Sequence, residues 1–334
     1  MINISSVFRN KIINRKTDCP VMPSLKEVGE RQLIRNIKKV LRPAPEVRGT
    51  DDDAAVLDAD GDVVVCSDIV TFDRHMPEGM TYEQFGWTAA AVNFSDLAAM
   101  GAKPTGLIVS LAMPDNMEEA DLYDIVSGID QCCEFCETYV IGGDTKPGPG
   151  VISCTALGKM EGRRPMMRNG ANPGDVIAIT GSLGGPAAGF AALKNGIDAE
   201  DAIFSLMTPV PMVKEGIALS GCGKVTSCID LSDGLATAAN TICEQSRCGL
   251  EIVWEFLPVS PDVEDVCLET RGSEEDMVLN WGGEYELMFT FPKEEIEAVQ
   301  KTGVFFSIIG HITNDDGAYL LKNDEKRRLE NGRY

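Results

Sequence analysis

Seven aspartates carry the chemistry that this sequence suggests. Asp52 and Asp53 stand together before a strand-like run, and Asp68 lies at the end of the next such run. Asp96 falls in an alanine-rich stretch, Asp144 follows Gly142-Gly143, and Asp230 and Asp233 bracket Leu231-Ser232. Most of them sit beside Gly, Ser or Thr at the expected edges of strands and helices. If several converged, two unit charges about 4 Å apart would repel by roughly 4 kcal/mol at an effective dielectric of 20, so such a cluster demands cations. Carboxylate oxygens are hard ligands, and with only two His in the chain they select Mg²⁺ over Zn²⁺. Mg²⁺ held by carboxylates ordinarily bridges to nucleotide phosphates, which makes phosphoryl transfer the reaction type that follows. Each aspartate also has a plain structural reading. Asp233 beside Gly234 serves equally as a helix cap, and Asp96 as the polar face of an amphipathic helix.

The stretch that must position Asp96 runs from Tyr82 to Pro104. Thr81 with Gln84 three residues on forms a capping-box pattern, and Gly101 followed by Pro104 marks an end, so a helix of about five turns is expected. Its alanines let other backbone approach closely, while Asn93 and Asp96 share one face at i, i+3. Upstream, Ser24 and Glu27 open a docking helix that Pro43 and Pro45 terminate, preceded by a loosely held extension over residues 1–22. Two strands are expected around the turn Asp58-Ala59-Asp60-Gly61, with further strands over 106–112 and 151–158. A helix carries Leu122, Ile125, Val126, Ile129, Cys132, Cys133 and Cys136 on its apolar side. Residues 139–141 read as a short strand entering a loop over 142–150, whose glycines suit a phosphate cradle. Arg163, Arg164 and Arg168, then Gly170 to Asp175, mark a domain boundary. Beyond it, strands are expected over 176–180, 225–229, 286–291 and 304–312, and helices from Gly185 and from Leu235. Gly181-Ser182-Leu183-Gly184-Gly185 matches neither the P-loop nor the dinucleotide fingerprint, and the protein-kinase loop set is absent.

The 334 residues suffice for two domains, and 44% hydrophobic with 25% charged residues is a globular composition. No run of 18 apolar residues is present and the N-terminus lacks a secretory layout, so neither a membrane span nor export is expected and a cytoplasmic setting follows. The 11 cysteines, odd in number and scattered, suit reduced buried thiols. The Cys132, Cys133, Cys136 cluster lacks companions at ligand spacing and reads as core packing. With 30 basic against 52 acidic residues the formal charge is −22, which repels a polyanion and excludes nucleic acid as a partner. A phosphate ligand remains admissible provided divalent cations sit between it and the carboxylates.

The ordered set LKEVGERQLI, DDAAVL at Asp52 to Leu57, Ser67-Asp68, His75, AVNFSDLAAMGAKP, IGGDT, RNGANPGD, IDLSDGL and GGEYEL resembles the thiamine-monophosphate kinase family. That family lies within the superfamily of aminoimidazole ribonucleotide synthetase, selenophosphate synthetase and the hydrogenase-maturation ATP-binding protein. The resemblance implies an α/β plus α+β fold of two domains. An ATP- and Mg²⁺-binding domain over 23–160 would dimerise through its sheet, followed by an α+β domain over 161–334. It implies phosphorylation of thiamine monophosphate by ATP in a homodimer, with several Mg²⁺ ions and no protein nucleophile or base. Carried over position by position, Asp53, Ser67, Asp68, Asp96, Asp144, Asp230 and Asp233 are the metal-site residues. Gly143, Asp144, Arg168 and Ser232 contact the nucleotide, and His75, Glu284 and Tyr334 the substrate. This chain departs from the family at Asp51, where Gly is usual before the aspartate pair, at Cys66, and at GGEYEL, which is one residue short. Two other readings keep the same aspartates: a sibling enzyme acting on a different phosphate or acyl substrate, and a non-catalytic nucleotide-binding protein.

Overall fold

The helix expected after Thr81 forms as its end signals dictate. Gln84 N–H donates to Thr81 Oγ1 at 3.1 Å and Thr81 N–H to Gln84 Oε1 at 3.0 Å, a reciprocal cap, and Gly101 closes the far end in the left-handed region at φ 72°. The computed structural model describes residues 52–58 and 61–332. The extension over 1–22, the docking helix from Ser24, Asp51, the centre of the Asp58-to-Gly61 turn and Tyr334 lie outside the described residues.

The first sheet comprises β1 (Ala55–Asp58), β2 (Asp62–Thr71), β3 (Lys103–Met113), β4 (Val140–Pro147) and β5 (Val151–Lys159), in the order β1-β2-β5-β3-β4. Only the β3/β4 pair is parallel. A single helical turn, α1 (Phe72–His75), follows β2, and the capped helix is α2 (Tyr82–Met100). Between β3 and β4 runs α3 (Glu119–Phe135), which packs on α2. On β2, Val64, Cys66 and Val70 point to the buried side while Ser67 and Ile69 are exposed on the other, the period-two alternation of a strand with one covered face.

The stretch 142–147, expected as a loop, is the body of β4. It lies in register with β3, Gly143 opposite Val109 and Asp144 opposite Ser110. A Cβ at Gly143 would stand 1.8 Å from the Val109 carbonyl oxygen, so glycine is there for close strand approach rather than for a phosphate cradle.

The second sheet has the order β12-β11-β8-β10-β6-β9-β7. Its strands are β6 (Asp175–Ile179), β7 (Ser227–Asp230), β8 (Gly249–Val253), β9 (Leu287–Pro292), β10 (Ser307–Thr313), β11 (Gly317–Lys322) and β12 (Glu325–Arg328). Its helices include α4 (Gly185–Asn195), α5 (Glu200–Met207), α6 (Val213–Cys222), α7 (Leu235–Ser246), α8 (Asp262–Thr270), α9 (Glu274–Leu279) and α10 (Ile296–Gln300). Ile177 and Ile179 face a core shared with α4, α7, α8 and α9, whereas Val176 and Ala178 face the opposite core with α2 and α6. Thus α2 serves both sheets, packing on β2 and β5 of the first and on β7 of the second. That explains why the helix is buried on nearly all sides and why its alanines are needed.

The ten described cysteines are all free and mostly buried, with Cys132, Cys133 and Cys136 in the core as expected. No described helix is long and apolar enough to cross a membrane.

Candidate functional site

Because α2 runs between the sheets, Asp96 is carried to where β7 ends and where the chain enters β1. Ligand oxygens of Asp53, Asp96 and Asp230 lie within 4.8 Å of one another, with Asp53 and Asp230 buried and Asp96 partly so. Among the described residues this is the group of three or more metal-ligating side chains that forms. Asp68, on the α2 side of β2, stands close enough to Asp96 for the two carboxyls to perturb each other and adds a fourth acid. Its backbone N–H donates to Asn93 Oδ1 at 3.1 Å, and the Asn93 amide donates to Ala89 O at 3.0 Å. The i, i+3 pair on α2 therefore divides its work: Asn93 holds β2 and Asp96 faces the cluster.

The acids are held by polar neighbours. Ser95 Oγ donates to Asp230 Oδ2 at 2.6 Å and Ser232 Oγ to Asp230 Oδ1 at 3.1 Å. Arg168 forks onto Asp53, Nε to Oδ2 at 2.8 Å and Nη2 to Oδ1 at 2.6 Å, and its backbone N–H donates to Asp52 Oδ1 at 2.5 Å. This bidentate pair is a strong, charge-assisted contact. Among the described residues Arg168 is the cation that pairs with the cluster.

Electrostatics follow from that crowding. Burial, then the charges of Asp68 and Asp230, raises the Asp96 carboxyl well above the ordinary range; burial and Asp53 push Asp230 up to about 8; burial also raises Asp68. A carboxyl whose pKa is raised on folding binds a proton more tightly in the folded chain. The stability it contributes is whole below the ordinary carboxylate pKa of about 4 and is lost as pH rises toward the folded value. A divalent cation replaces those protons, so the gain in thermal midpoint on adding Mg²⁺ is expected to grow between pH 5 and pH 8. Equal gains at both pH values, in melts run with EDTA and with Mg²⁺, would contradict this account of the cluster. The donor set, four carboxylates with hydroxyl neighbours, fits hard Mg²⁺, while the buried Cys66 beside Asp96 and Asp68 is kept as a thiol by burial and by their charges, its Sγ donating to Asn93 O at 3.2 Å.

The remaining positions named from the sequence are placed as follows. Asp233 is exposed in the turn before α7, whose N-cap position is Gly234, and its charge acts on Asp68. Ser67 lies on the opposite face of β2 from Asp68, donating to Cys154 O at 2.8 Å and accepting from Thr155 Oγ1 at 3.0 Å. Gly143 and Asp144 are on the outermost strand of the sheet. Asp144 pairs across to Ser110, Ser110 to Ser153 and Ser153 to Ile69, three strand spacings or roughly 14 Å from β2. The Asp144 carboxylate is exposed and bonded by Lys146 Nζ at 3.2 Å, the chief reason its pKa lies below the usual range. His75 Nδ1 accepts from Thr71 N–H at 3.1 Å, and Thr71 is three residues, roughly 10 Å, along the strand from Asp68.

Glu284 is buried in the turn that pairs with residues 231–233, Gly283 N–H donating to Ser232 O at 2.9 Å. Its Oε1 accepts from Gly184 N–H at 3.1 Å, at the start of α4, while its Oε2 is buried with no partner among the described residues. Burial pushes its carboxyl up to about 7. An orphaned buried carboxylate oxygen is costly and marks a place where a ligand donor fits. Although the GGEYEL turn is one residue short of the family pattern, it keeps Glu284 beside the Asp230-to-Asp233 turn.

Two site residues escaped the sequence reading. Ser95 is an ordinary residue on a helix, and only its contact with Asp230 reveals it, whereas Asn93 is marked by its i, i+3 spacing to Asp96 though not by its partner. Glu286, pushed up to about 7 by burial and bonded by Thr180 Oγ1 at 2.5 Å, carried no signal beyond its motif.

Comparison with known proteins gives the following. The description "AIR synthase related protein, N-terminal domain" matches residues 51–160, and "AIR synthase related protein, C-terminal domain" matches residues 172–322. The chain is 35% identical over 301 residues to a thiamine-monophosphate kinase of Methanopyrus kandleri, covering 89% of this chain and 94% of that one. It is 34% identical over 299 residues to the thiamine-monophosphate kinase of Escherichia coli, covering 84% and 89%. Its fold superposes with a TM-score of 0.84 at 26% identity on the structure of AaThiL complexed with AMPPCP and TMP, covering 94% of this chain and 98% of that one.

Proposed function

This chain belongs to the AIR synthase related proteins, and from that premise we propose that it transfers the terminal phosphoryl group of ATP to thiamine monophosphate, giving thiamine diphosphate. The observation that carries the reading is the meeting of Asp53, Asp96 and Asp230 within 4.8 Å, side chains from three distant parts of the chain whose mutual repulsion a bound cation would relieve.

Asp53, Asp68, Asp96 and Asp230, with Asp233 close by, would hold Mg²⁺. When bound, the metal supplies charge neutralisation between two polyanionic reactants on an acidic protein. The chain's own residues do the rest. Arg168 offers a planar, permanently charged fork for phosphate oxygens, and Ser232 adds a hydroxyl held against Asp230 Oδ1. Glu284 presents its open Oε2 to a substrate donor, and His75 is a hydrogen-bond partner rather than a general base. No protein nucleophile is needed, because the acceptor phosphate is already anionic at neutral pH; once aligned, its oxygen bonds to the terminal phosphorus of ATP as the bond from that phosphorus to the bridging oxygen breaks and ADP leaves.

The proposal includes a cytoplasmic homodimer in which a second copy covers the exposed Ile69, Ile108, Tyr139 and Ile141 of the first sheet. It also includes division of the chain near residue 160. Asp144 and Gly143, remote from the acid cluster within one chain, then belong to the nucleotide side of the reading only through movement or assembly. The test is turnover of thiamine monophosphate with ATP and Mg²⁺. Thiamine diphosphate is expected to appear, and to vanish with EDTA; ATP binding without product would favour a non-catalytic protein instead.

A further inference from the structure

Arg168 stands in the segment that carries the chain from β5 to β6, and its backbone is gripped from two sides. On one side its N–H donates to Asp52 Oδ1 at 2.5 Å. On the other stands Ser246, the last residue of α7. The Ser246 hydroxyl accepts from Gly170 N–H at 3.1 Å and from Ala171 N–H at 3.2 Å, and it donates to Arg168 O at 3.3 Å. One hydroxyl thus uses its proton and both lone pairs on a single turn, its full capacity. The turn itself has little freedom. Gly170 lies at φ +114°, and a Cβ there would stand 2.5 Å from Thr226 O.

The guanidinium at the end of this clamped backbone is engaged with Asp53 at 2.8 and 2.6 Å. Any cation held by Asp53 competes for the same two oxygens. Arg168 then has to turn toward phosphate by rotating its side chain while its Cα stays in place. A long side chain delivers its charge accurately only if its base is fixed.

We propose that Ser246 is a positioning residue of the phosphoryl-transfer site: by stapling residues 168–171 to the end of α7 it fixes the base from which Arg168 reaches the nucleotide phosphates. This rests on the reading of Arg168 as a nucleotide contact. Gly170 is exposed, so in a Ser246→Ala variant water takes over its N–H, leaving the buried Ala171 N–H and the Arg168 carbonyl to adjust, and the fold survives.

The test is calorimetric titration of AMPPCP in excess Mg²⁺ into the full-length protein and its variants, with a thermal melt of each. Ser246→Ala is expected to weaken AMPPCP about tenfold, while thiamine monophosphate affinity and the melting midpoint stay near wild type. Ser246→Thr, which keeps the hydroxyl, is expected to restore most of the affinity. In an Arg168→Ala background, Ser246→Ala is expected to change nothing further, because the two residues act as one unit. The inference is overturned by unchanged AMPPCP affinity in Ser246→Ala, by equal weakening in both backgrounds, or by parallel weakening of both substrates with a lowered midpoint. Absence of thiamine diphosphate from the wild-type assay would instead sink the kinase reading, a separate outcome.

Discussion

Asp96→Asn is expected to reduce turnover by a factor on the order of 10³ or more while leaving the protein folded and, without metal, more stable than the wild type. The two effects have one cause. Asp96 lies among Asp53, Asp68 and Asp230, and its carboxyl is raised by burial and by each of those charges. Like charges about 4 Å apart repel by roughly 4 kcal/mol at an effective dielectric of 20, so the metal-free cluster is under strain that a neutral amide relieves. The same amide removes a charge that only the cation requires. Melts in EDTA and in Mg²⁺, run beside the phosphoryl-transfer assay, read both effects. The wild-type protein should gain more from Mg²⁺ than the variant. Full activity in Asp96→Asn would show that α2 does not serve the reaction and would remove the central argument for the site.

Arg168→Ala acts in the opposite sense. The Asp53 carboxylate is fully enclosed and its ion-pair partner is largely so, with side-chain exposures of 0% and 23%. Removing one partner of a buried pair strands the other, at about 3–5 kcal/mol. The urea midpoint in EDTA should fall accordingly, and Mg²⁺ should recover part of the loss by supplying Asp53 with another cation. Nucleotide binding should weaken even when Mg²⁺ is saturating, because the planar fork is gone. A midpoint unchanged in EDTA would mean that Asp53 finds another partner and that the pair contributes little. These two substitutions bracket the cluster, since one removes an excess negative charge and the other the positive charge that offsets it.

Much of the scaffold was legible because its signals are local. Thr81, Gln84 and Gly101 mark both ends of α2, and apolar periodicity marks α3. Gly142 to Pro147 misled for an equally physical reason. Glycine and proline read as loop in isolation, but a glycine in a strand also permits close backbone approach, and only the partner strand β3 reveals which applies. The short helices α5, α6, α8, α9 and α10 went unassigned because their few turns give periodicity little to act on. At the site, the aspartates were visible by type and neighbour and Asn93 by its spacing to Asp96, whereas Ser95 was not, since nothing in a single sequence says which helix face meets which carboxylate.

The sequence by itself determined the chemistry open to this protein: hard oxygen ligands, almost no imidazole, a strong negative charge, and ordered motifs that place it in its family. Those are properties of side-chain types, and they survive any arrangement of the chain. Only the tertiary structure decided which acids meet. It joined Asp53, Asp68, Asp96 and Asp230 through a helix shared by two sheets, turned Ser67 to the far face of its strand, and left Asp144 three strands away. Convergence of distant charges depends on long-range packing, and long-range packing is what local patterns do not encode.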